Sequence, residues 1–595
     1  EYKYRINLMN VILGFNFFHA DAAACLIIDG KLKAALAEER VGDRVKHSSA
    51  FPENAIKFVL EDNGLSITDV THIAIPRDAN ANRLSKIGHV IANPLDGAKA
   101  AFEHYRRSVE SLSYKERLGK IFGVDHKAIK ADIIHVEHHL AHIASSYYTS
   151  PFQELTAGFS YDGSGDFVSM MIAKCEGGRI DVIDKVTLPD SLGFFYSALS
   201  QFIGFDHFGE EYKVMGLAAY GEDKYSAEMD VLVQFDENDW FKLNKKYFGM
   251  HRGGGSGEVD ESNNPIVGKM YTEKMKDLLG FVRDRSSPIT QREMDIAKSI
   301  QVKFEDITIQ IVKKISGMID TKNIVLAGGC ALNGIANAKI LAETDFENSF
   351  IHSAASDDGT CVGAAFYVWN HILNNETRFV MEHAFWGPEY PQSEMSSVAQ
   401  SSDFYIQTFD DDDSLIQAAA ELIYKGNVVG WYQGRSEWGP RALGNRSILA
   451  NPAIIDMKEI INSKIKRRES FRPFAPSVLA EDVKVYFQQE VYTPFMMHVV
   501  KIKEKYRGLL PAITHEDGTG RVQSVDKKTN ALYYDLIREV KVRTGFGIVL
   551  NTSFNENEPI VDRPEQALSC FERTDMDVLF LGRSLLMKKK SSSEE

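Results

Sequence analysis

Apolar positions repeat in two registers along the chain. In "VILGFNFFHADAAACLIIDGKLKAALAEER", residues 11–40, short apolar runs and apolar–polar alternation are broken by a turn and by the Asp29-Gly30 corner. The pattern predicts strand, turn, strand, tight turn, strand. The same order returns in "LTAGFSYDGSGDFVSMMIAKCEGGRIDVIDKV", residues 155–186, with an acidic glycine turn and then an "EGG" turn. Elsewhere the period lengthens: "MDIAKSIQVKFEDITIQIVKKISGMI" places apolar residues at helical spacing, and "NIVLAGGCALNGIANAKIL" reads strand, glycine turn, helix. A duplicated three-strand unit followed by helices predicts a two-lobed α/β fold of the actin/sugar-kinase type, with ligand between the lobes. Near Phe385 the pattern restarts: "FWGPEYP" carries turn residues, and "DDDDSLIQAAAELIYKGNVVGWYQG" begins a new helix-then-strand series. The boundary is expected at about residues 375–390.

Bulk properties narrow the picture. A chain of 595 residues exceeds one hydrophobic core, so at least two domains are expected. A net charge of -15 argues against a general nucleic-acid partner but leaves room for local basic pockets. No apolar run reaches a membrane span, no signal-peptide pattern opens the chain, and the five cysteines lack any C-x-x-C pairing, so a reduced cytoplasmic protein is expected. The terminal "KKKSSSEE" is expected to fray.

Three groups of residues invite chemistry. "HVEHHLAHIASSYYTS" holds four histidines within His135–His142, of 17 in the chain. On a helix, His138 and His142 share a face at i, i+4, and His139 and His142 at i, i+3; either pair can hold a cation, and spacing alone does not choose. The acidic turns at Asp162 and at Asp357 or Asp358 can add carboxylates, although Asp and Gly are also ordinary turn formers. Mixed imidazole and carboxylate donors favour iron, zinc or manganese. Finally, "QGRSEWGPRALGNRS", "KIKRRESFRPF" and "GTGRVQSV" concentrate basic residues beside turns in an acidic chain, as a phosphate pocket requires. No G-x-x-x-x-G-K-[ST] loop is present.

Taken in order, "EHHLAHIASSYY", "YDGSGD", "SLGFFYSALS", "YKVMGLAAYG", "LAGGCALNGIAN", "SDDGTCVGAA", "GRSEWGPRALGNRSILANP", "RRESFRPFAPSVL" and "LNTSFNENEPIV" resemble the O-carbamoyltransferases of the NodU/CmcH type, over essentially the whole chain. The resemblance implies a duplicated actin/sugar-kinase-like (ribonuclease-H-like) domain over residues 9–375, similar to the tRNA threonylcarbamoyl transferase fold. A linker over 376–384 and an α/β YrdC-like domain over 385–590 follow. It implies that carbamoyl phosphate and ATP, with magnesium, form carbamoyladenylate in the second domain, and that the first transfers the carbamoyl group to a hydroxyl of a small sugar, antibiotic or alkaloid. By position it places metal ligands, for iron, at His138, His142, Asp162 and Asp357. It leaves His139 for hydrogen bonding near the site, His135 for structure, and His19 as general base or acceptor-positioning group. Lys213, Gly328, Gly329 and Asn333 are expected at the adenylate. Arg435, Arg441, Arg446, Lys466, Arg472, Arg521, Asn551 and Ser553 are expected around the phosphates, with Arg467 and Arg468 on the surface. A homodimer is compatible with this reading. Residues 86–120 and 240–288 match no motif, and the latter are candidates for acceptor contact. The alternatives are a non-catalytic nucleotide-binding switch and a tRNA- or hydrogenase-maturation-type carbamoyl enzyme. Against the maturation type stand the absent acylphosphatase-like start, the absent C-x-x-C set and the reversed module order.

Overall fold

The computed structural model describes residues 9–17, 19–92, 114–249 and 267–588, and the chain divides into two units, Glu1–Met381 and Glu382–Glu595. The parts of 86–120 and 240–288 at 93–113 and 250–266, and the tail from 589, lie outside the described residues.

Unit 1 contains the predicted repeat. Strands β1 (Val11–Asn16), β2 (Ala23–Ile28), β3 (Lys31–Ala37), β4 (His72–Ile75) and β5 (Asp132–His135) form a sheet of order β3-β2-β1-β4-β5. After β6 (Thr156–Gly165), β7 (Val168–Glu176) and β8 (Arg179–Thr187), a ribbon of β9 (Val233–Asp236) and β10 (Trp240–Leu243) intervenes. With β11 (Asn323–Ala327) and β12 (Asn348–Ile351), the second sheet has order β12-β11-β6-β7-β8. In each sheet the first three strands are antiparallel and the last two run parallel to the first. This is the ribonuclease-H-like sheet twice over, the actin/sugar-kinase class of fold. Asp29 and Gly30 both adopt positive φ, at 47° and 75°, as a two-residue hairpin corner demands.

Every residue of β1 is buried, which explains why "VILGFN" does not alternate in polarity: both faces of this strand are covered. Helix Glu53–Glu61 supplies Ala55, Ile56, Val59 and Leu60 to the core on one side. Two further helices matter for the site, α1 (His138–Tyr147) after β5 and α2 (Thr360–Tyr367) after β12, occupying corresponding places in the two repeats. They touch backbone to backbone, because a Cβ on Gly363 would lie 1.8 Å from the Ala141 carbonyl oxygen. Against the sheet, a Cβ on Gly14 would lie 2.3 Å from the Cys361 carbonyl oxygen. Gly363→Ala is therefore expected to destabilise the protein by about 3 kcal/mol, since backbone on both sides must shift. Chemical denaturation of the variant measures this.

Residues 376–381, expected to be linker, are seated on unit 1. Asn370 donates to the carbonyls of Asn375 (2.9 Å) and Thr377 (3.0 Å), Arg378 donates to that of Gly177 (2.8 Å), and the Met381 N–H donates to that of Thr149 (2.9 Å). Unit 2 carries a mixed nine-stranded sheet from β13 (Tyr405–Thr408) to β21 (Ser584–Met587), in the order β13-β21-β20-β14-β15-β19-β16-β18-β17. Its middle comprises β14 (Val429–Tyr432), β15 (Arg446–Ala450), β19 (Ile548–Ser553), β16 (Ala475–Leu479) and β18 (Thr519–Val525), flanked by β20 (Val578–Leu581) and β17 (His498–Lys501). Helices α3 (Asp412–Tyr424) and α4 (Ala531–Thr544) bury Leu415, Ala419, Ile423, Leu536, Ile537 and Val540 in a core with Trp431 and Phe580. No helix among the described residues is long and apolar enough to cross a membrane.

Candidate active site

Helix α1 begins where Glu137 caps it, its carboxylate accepting from the Leu140 N–H at 2.8 Å. From that start, a step of about 100° per residue places His138 and His142 on one face. Their Nε2 atoms meet at 3.0 Å. Asp357 enters from the single turn (Asp357–Gly359) that leads into α2, its Oδ1 lying 3.4 Å from each Nε2. Asp162 comes from within β6, which runs on to Gly165 instead of ending at Asp162 as its glycines suggest. A register shift between Tyr161 and Gly165 takes the carboxylate out of the regular ladder, and its Oδ2 reaches His142 Nε2 at 3.1 Å. One donor atom from each of the four residues lies within 4.8 Å of every other.

These donors suit a cation. Two imidazole nitrogens facing each other cannot both donate, and the buried Asp357 Oδ1 accepts no hydrogen bond. A divalent ion meets both needs at once. Burial disfavours the His142 imidazolium, yet Asp162 and Asp357 outweigh it and hold its pKa up at about 9. The paired histidines likewise pull Asp357 well below the usual carboxylate range despite burial.

The other residues expected in unit 1 divide. His19 lies at the group, its ring 4.9 Å from that of His138, and burial above all lowers its pKa to about 4. His139 points the other way: Nδ1 meets Ser160 Oγ at 2.8 Å and Nε2 donates to the Val168 carbonyl at 2.9 Å. With both ring nitrogens engaged in hydrogen bonds beside the group, His139 positions α1 and has no ring nitrogen left for a reacting group. His135 is held by the Arg77 carbonyl at 2.8 Å, outside the group. Gly328, at φ 92°, spends its N–H on the Ala355 carbonyl, and a Cβ there would lie 2.2 Å from the Tyr161 carbonyl oxygen. Gly329 lets the turn lie against Asp162, a Cβ there falling 3.0 Å from Oδ1. Asn333 caps the helix Gly334–Glu343 and pairs with Gln301, while Lys213 is buried against Glu210 at 2.7 Å. The turn thus adjoins the candidate cation site, and the side chains of Asn333 and Lys213 are engaged by protein.

In unit 2 the basic residues also divide. Arg446 is fully buried and spends its guanidinium on the carbonyls of Gln433 (2.5 Å) and Gly434 (3.0 Å), stacked 3.7 Å above the Tyr432 ring. Lys466 gives its three N–H bonds to Ser553 O (2.6 Å), Asn555 O (2.7 Å) and Asn555 Oδ1 (2.6 Å). Both are scaffold, correcting their expected place on phosphate; Ser553 is engaged in the same knot, its hydroxyl donating to Asn555 Oδ1 at 2.8 Å. Arg521 is different. It forms no ion pair among the described residues, its Nε is buried without a partner, and burial together with Arg441, Arg468 and Arg472 pushes its pKa down. Arg472 faces Glu469 at 3.6 Å. Asn551 is buried nearby, donating to Ser477 Oγ at 3.0 Å. Arg435 stands on the loop after β14, its carbonyl accepting from Asn445 at 2.8 Å, and its charge acts on His383 instead.

Two participants escaped the sequence reading. Arg468, expected on the surface, is half-buried over the Phe474 ring and acts on Arg521. Glu437, buried within "GRSEWGPRALGNRS", accepts from the N–H groups of Leu443 (2.8 Å), Asn445 (2.9 Å) and Arg446 (3.1 Å), and so shapes the loop that carries Arg435 and Arg441. An acidic residue amid arginines and glycines was its only signal.

Residues 11–366 match the family model described as Carbamoyltransferase N-terminus, and residues 420–588 match Carbamoyltransferase C-terminus. An uncharacterised protein of Synechocystis, sll1178, is 35% identical over 99% of this chain and 98% of its own length. The nodulation protein NolNO of Sinorhizobium fredii is 35% identical over 98% of this chain and 81% of its own. The 3'-hydroxymethylcephem-O-carbamoyltransferase of Amycolatopsis lactamdurans is 31% identical over 43% of this chain and 47% of its own. Among solved structures, HypF of T. kodakarensis matches with TM-score 0.31 and 13% identity over 62% of this chain and 48% of that one, too distant to argue from. With both family models and full-length relatives in agreement, the chain belongs to the carbamoyltransferase family.

Proposed function

We propose that this carbamoyltransferase works in two steps, one in each unit, on carbamoyl phosphate, ATP and a small hydroxyl-bearing acceptor. In unit 2, which we read as YrdC-like, carbamoyl phosphate gives up phosphate to water, and the carbamate oxygen then attacks the α-phosphorus of ATP. Pyrophosphate leaves and carbamoyladenylate forms. The observation that carries this reading is Arg521, a half-buried guanidinium with no carboxylate among the described residues and three other arginines acting on it. Such a charge is costly to desolvate unless an anion completes it. Arg441, Arg468 and Arg472 complete a set suited to a polyanion, and magnesium would accompany the nucleotide.

In unit 1 the acceptor hydroxyl attacks the carbamoyl carbon and AMP leaves. A carbamoyl group is a weak electrophile because its nitrogen feeds electrons into the carbonyl, so the anhydride must first supply a good leaving group. His138, His142, Asp162 and Asp357 would hold the cation, for which iron suits the donor set; when bound, it supplies Lewis-acid polarisation of oxygen. His19, kept neutral by burial, is positioned to take the hydroxyl proton.

Incubation with carbamoyl phosphate and ATP, without acceptor, tests the first step. Pyrophosphate is expected only when both are present. Its absence, with the protein folded, would refute the adenylation. A screen of hydroxyl acceptors read by mass then identifies the product of the second step.

A further inference from the structure

The proposed anion site in unit 2 is built of donors. Guanidinium groups donate and never accept. Carbamoyl phosphate, however, carries an NH2 group, which needs an acceptor that arginines cannot supply. Among the described residues of unit 2, the buried acceptors without a partner include Glu437 Oε2, Asn551 Oδ1 and His515 Nε2, and it is the His515 ring on which the Arg521 charge acts.

Residues 515–519 form the turn that enters β18. The His515 N–H donates to the Thr519 carbonyl at 2.8 Å, and the Gly518 N–H donates to the His515 carbonyl at 2.9 Å. Within the turn the Thr519 hydroxyl donates to Asp517 Oδ1 at 2.7 Å. That hydroxyl has one proton, already committed to the carboxylate, so toward His515 it can only accept. The contact of 2.9 Å between His515 Nδ1 and Thr519 Oγ1 is therefore a bond from Nδ1–H to oxygen. The relay Asp517–Thr519–His515 fixes the tautomer and leaves a lone pair on Nε2. That atom is buried and makes no hydrogen bond.

The same strand carries the arginine. Side chains two apart on a strand share a face, so Thr519, Arg521 and Gln523 lie together. Gln523 Oε1 in turn accepts from Ser477 Oγ at 2.6 Å and from Asn551 at 3.3 Å. The groups that act on the His515 charge are Asp517, Arg521 and Lys458. Burial is the largest influence, and with Arg521 and Lys458 it outweighs Asp517 and lowers the imidazole pKa to about 4. The ring is thus neutral at neutral pH, an acceptor in a field of donors.

From the fixed tautomer, the unpartnered Nε2 and its place beside Arg521, we infer that His515 reads the amide of the substrate, accepting an N–H of the carbamoyl group. The inference rests on the reading of unit 2 as the carbamoyl phosphate site. It makes His515 a specificity residue that separates a carbamoyl phosphate from an acyl phosphate of equal shape, in which a methyl replaces the amine. Loss of a buried polar partner is what such discrimination is made of.

The test is calorimetric binding of two isosteric phosphonates to the full chain, phosphonoacetamide and phosphonoacetone, with pyrophosphate as a ligand lacking either group. Wild type is expected to bind the amide about 10-fold more tightly than the ketone, the size of one hydrogen bond. His515→Phe should bring the two together by weakening only the amide, with pyrophosphate binding unchanged as proof of an intact site. His515→Gln, which can place an amide oxygen near the lost nitrogen, should restore part of the preference. If His515→Phe keeps the 10-fold preference, the amide is read elsewhere and the inference falls. Equal weakening of all three ligands would also overturn it, reducing His515 to a structural role. If wild type binds pyrophosphate but neither phosphonate, the reading of unit 2 as a carbamoyl phosphate site fails first.

Discussion

His142→Ala is expected to abolish carbamoyl transfer while leaving pyrophosphate release at the wild-type rate. The residue is the hub of its group: its Nε2 lies 3.0 Å from His138 Nε2, 3.1 Å from Asp162 and 3.4 Å from Asp357. Removing it leaves one imidazole with two carboxylates, a weaker donor set for a transition metal. The metal content of protein reconstituted with iron(II) should fall to a small fraction of wild type. Transfer from supplied carbamoyladenylate should fall by ~10³-fold, the scale on which removal of an electrostatic stabiliser is felt in other enzymes. The fold should survive. Alanine is the better helix former, the Glu137 cap remains, and the close contact of Gly363 with Ala141 is untouched. On the proposed division of the two steps, pyrophosphate release belongs to unit 2 and should not change. A folded variant that loses both half-reactions would contradict the assignment of transfer to unit 1 and adenylation to unit 2.

How much of this was legible beforehand depended on which physical signal each residue left in the chain. The duplicated hairpins were readable because a strand repeats every two residues and a tight corner demands residues such as Asp29 and Gly30. The histidines were readable as a helix, but spacing could not choose between His138 and His139, and the family likeness made the choice. The structure supplies the reason. One residue further round the helix, His139 turns into the core onto Ser160 and Val168, while His138 faces Asp357. Basic residues were harder, because a sequence shows charge and not what the charge meets. Arg446 and Lys466 look like phosphate ligands until their donors are found spent on backbone carbonyls. Arg468, expected on the surface, is half-buried because the run "KIKRRE" does not continue as one helix. The helical phase ends at Arg467, which adopts φ 41°, so Arg468 no longer follows the spacing of the residues before it. The relay through Asp517 and Thr519 had no sequence signal beyond their proximity to His515.

Arg521→Met is expected to stop pyrophosphate release and, in the absence of ligands, to raise the melting temperature of unit 2. The two effects share a cause. A guanidinium taken from water without a carboxylate, with three like charges acting on it, opposes folding. Methionine keeps the length and apolar body of the side chain and removes that penalty, by about 1–3 kcal/mol. For a domain of this size that is a rise of roughly 2–4 °C per kcal/mol. Wild type should instead gain stability when pyrophosphate is added, because an anion that binds only the folded state shifts unfolding by mass action. The variant should show no such gain. Differential scanning calorimetry with and without pyrophosphate gives both readings, and a coupled pyrophosphate assay gives the third, with a loss of ~10²-fold or more. A fall in melting temperature without ligand would mean that the guanidinium is satisfied by protein after all. In that case the cluster around it is architecture, and the anion site must be sought elsewhere in unit 2.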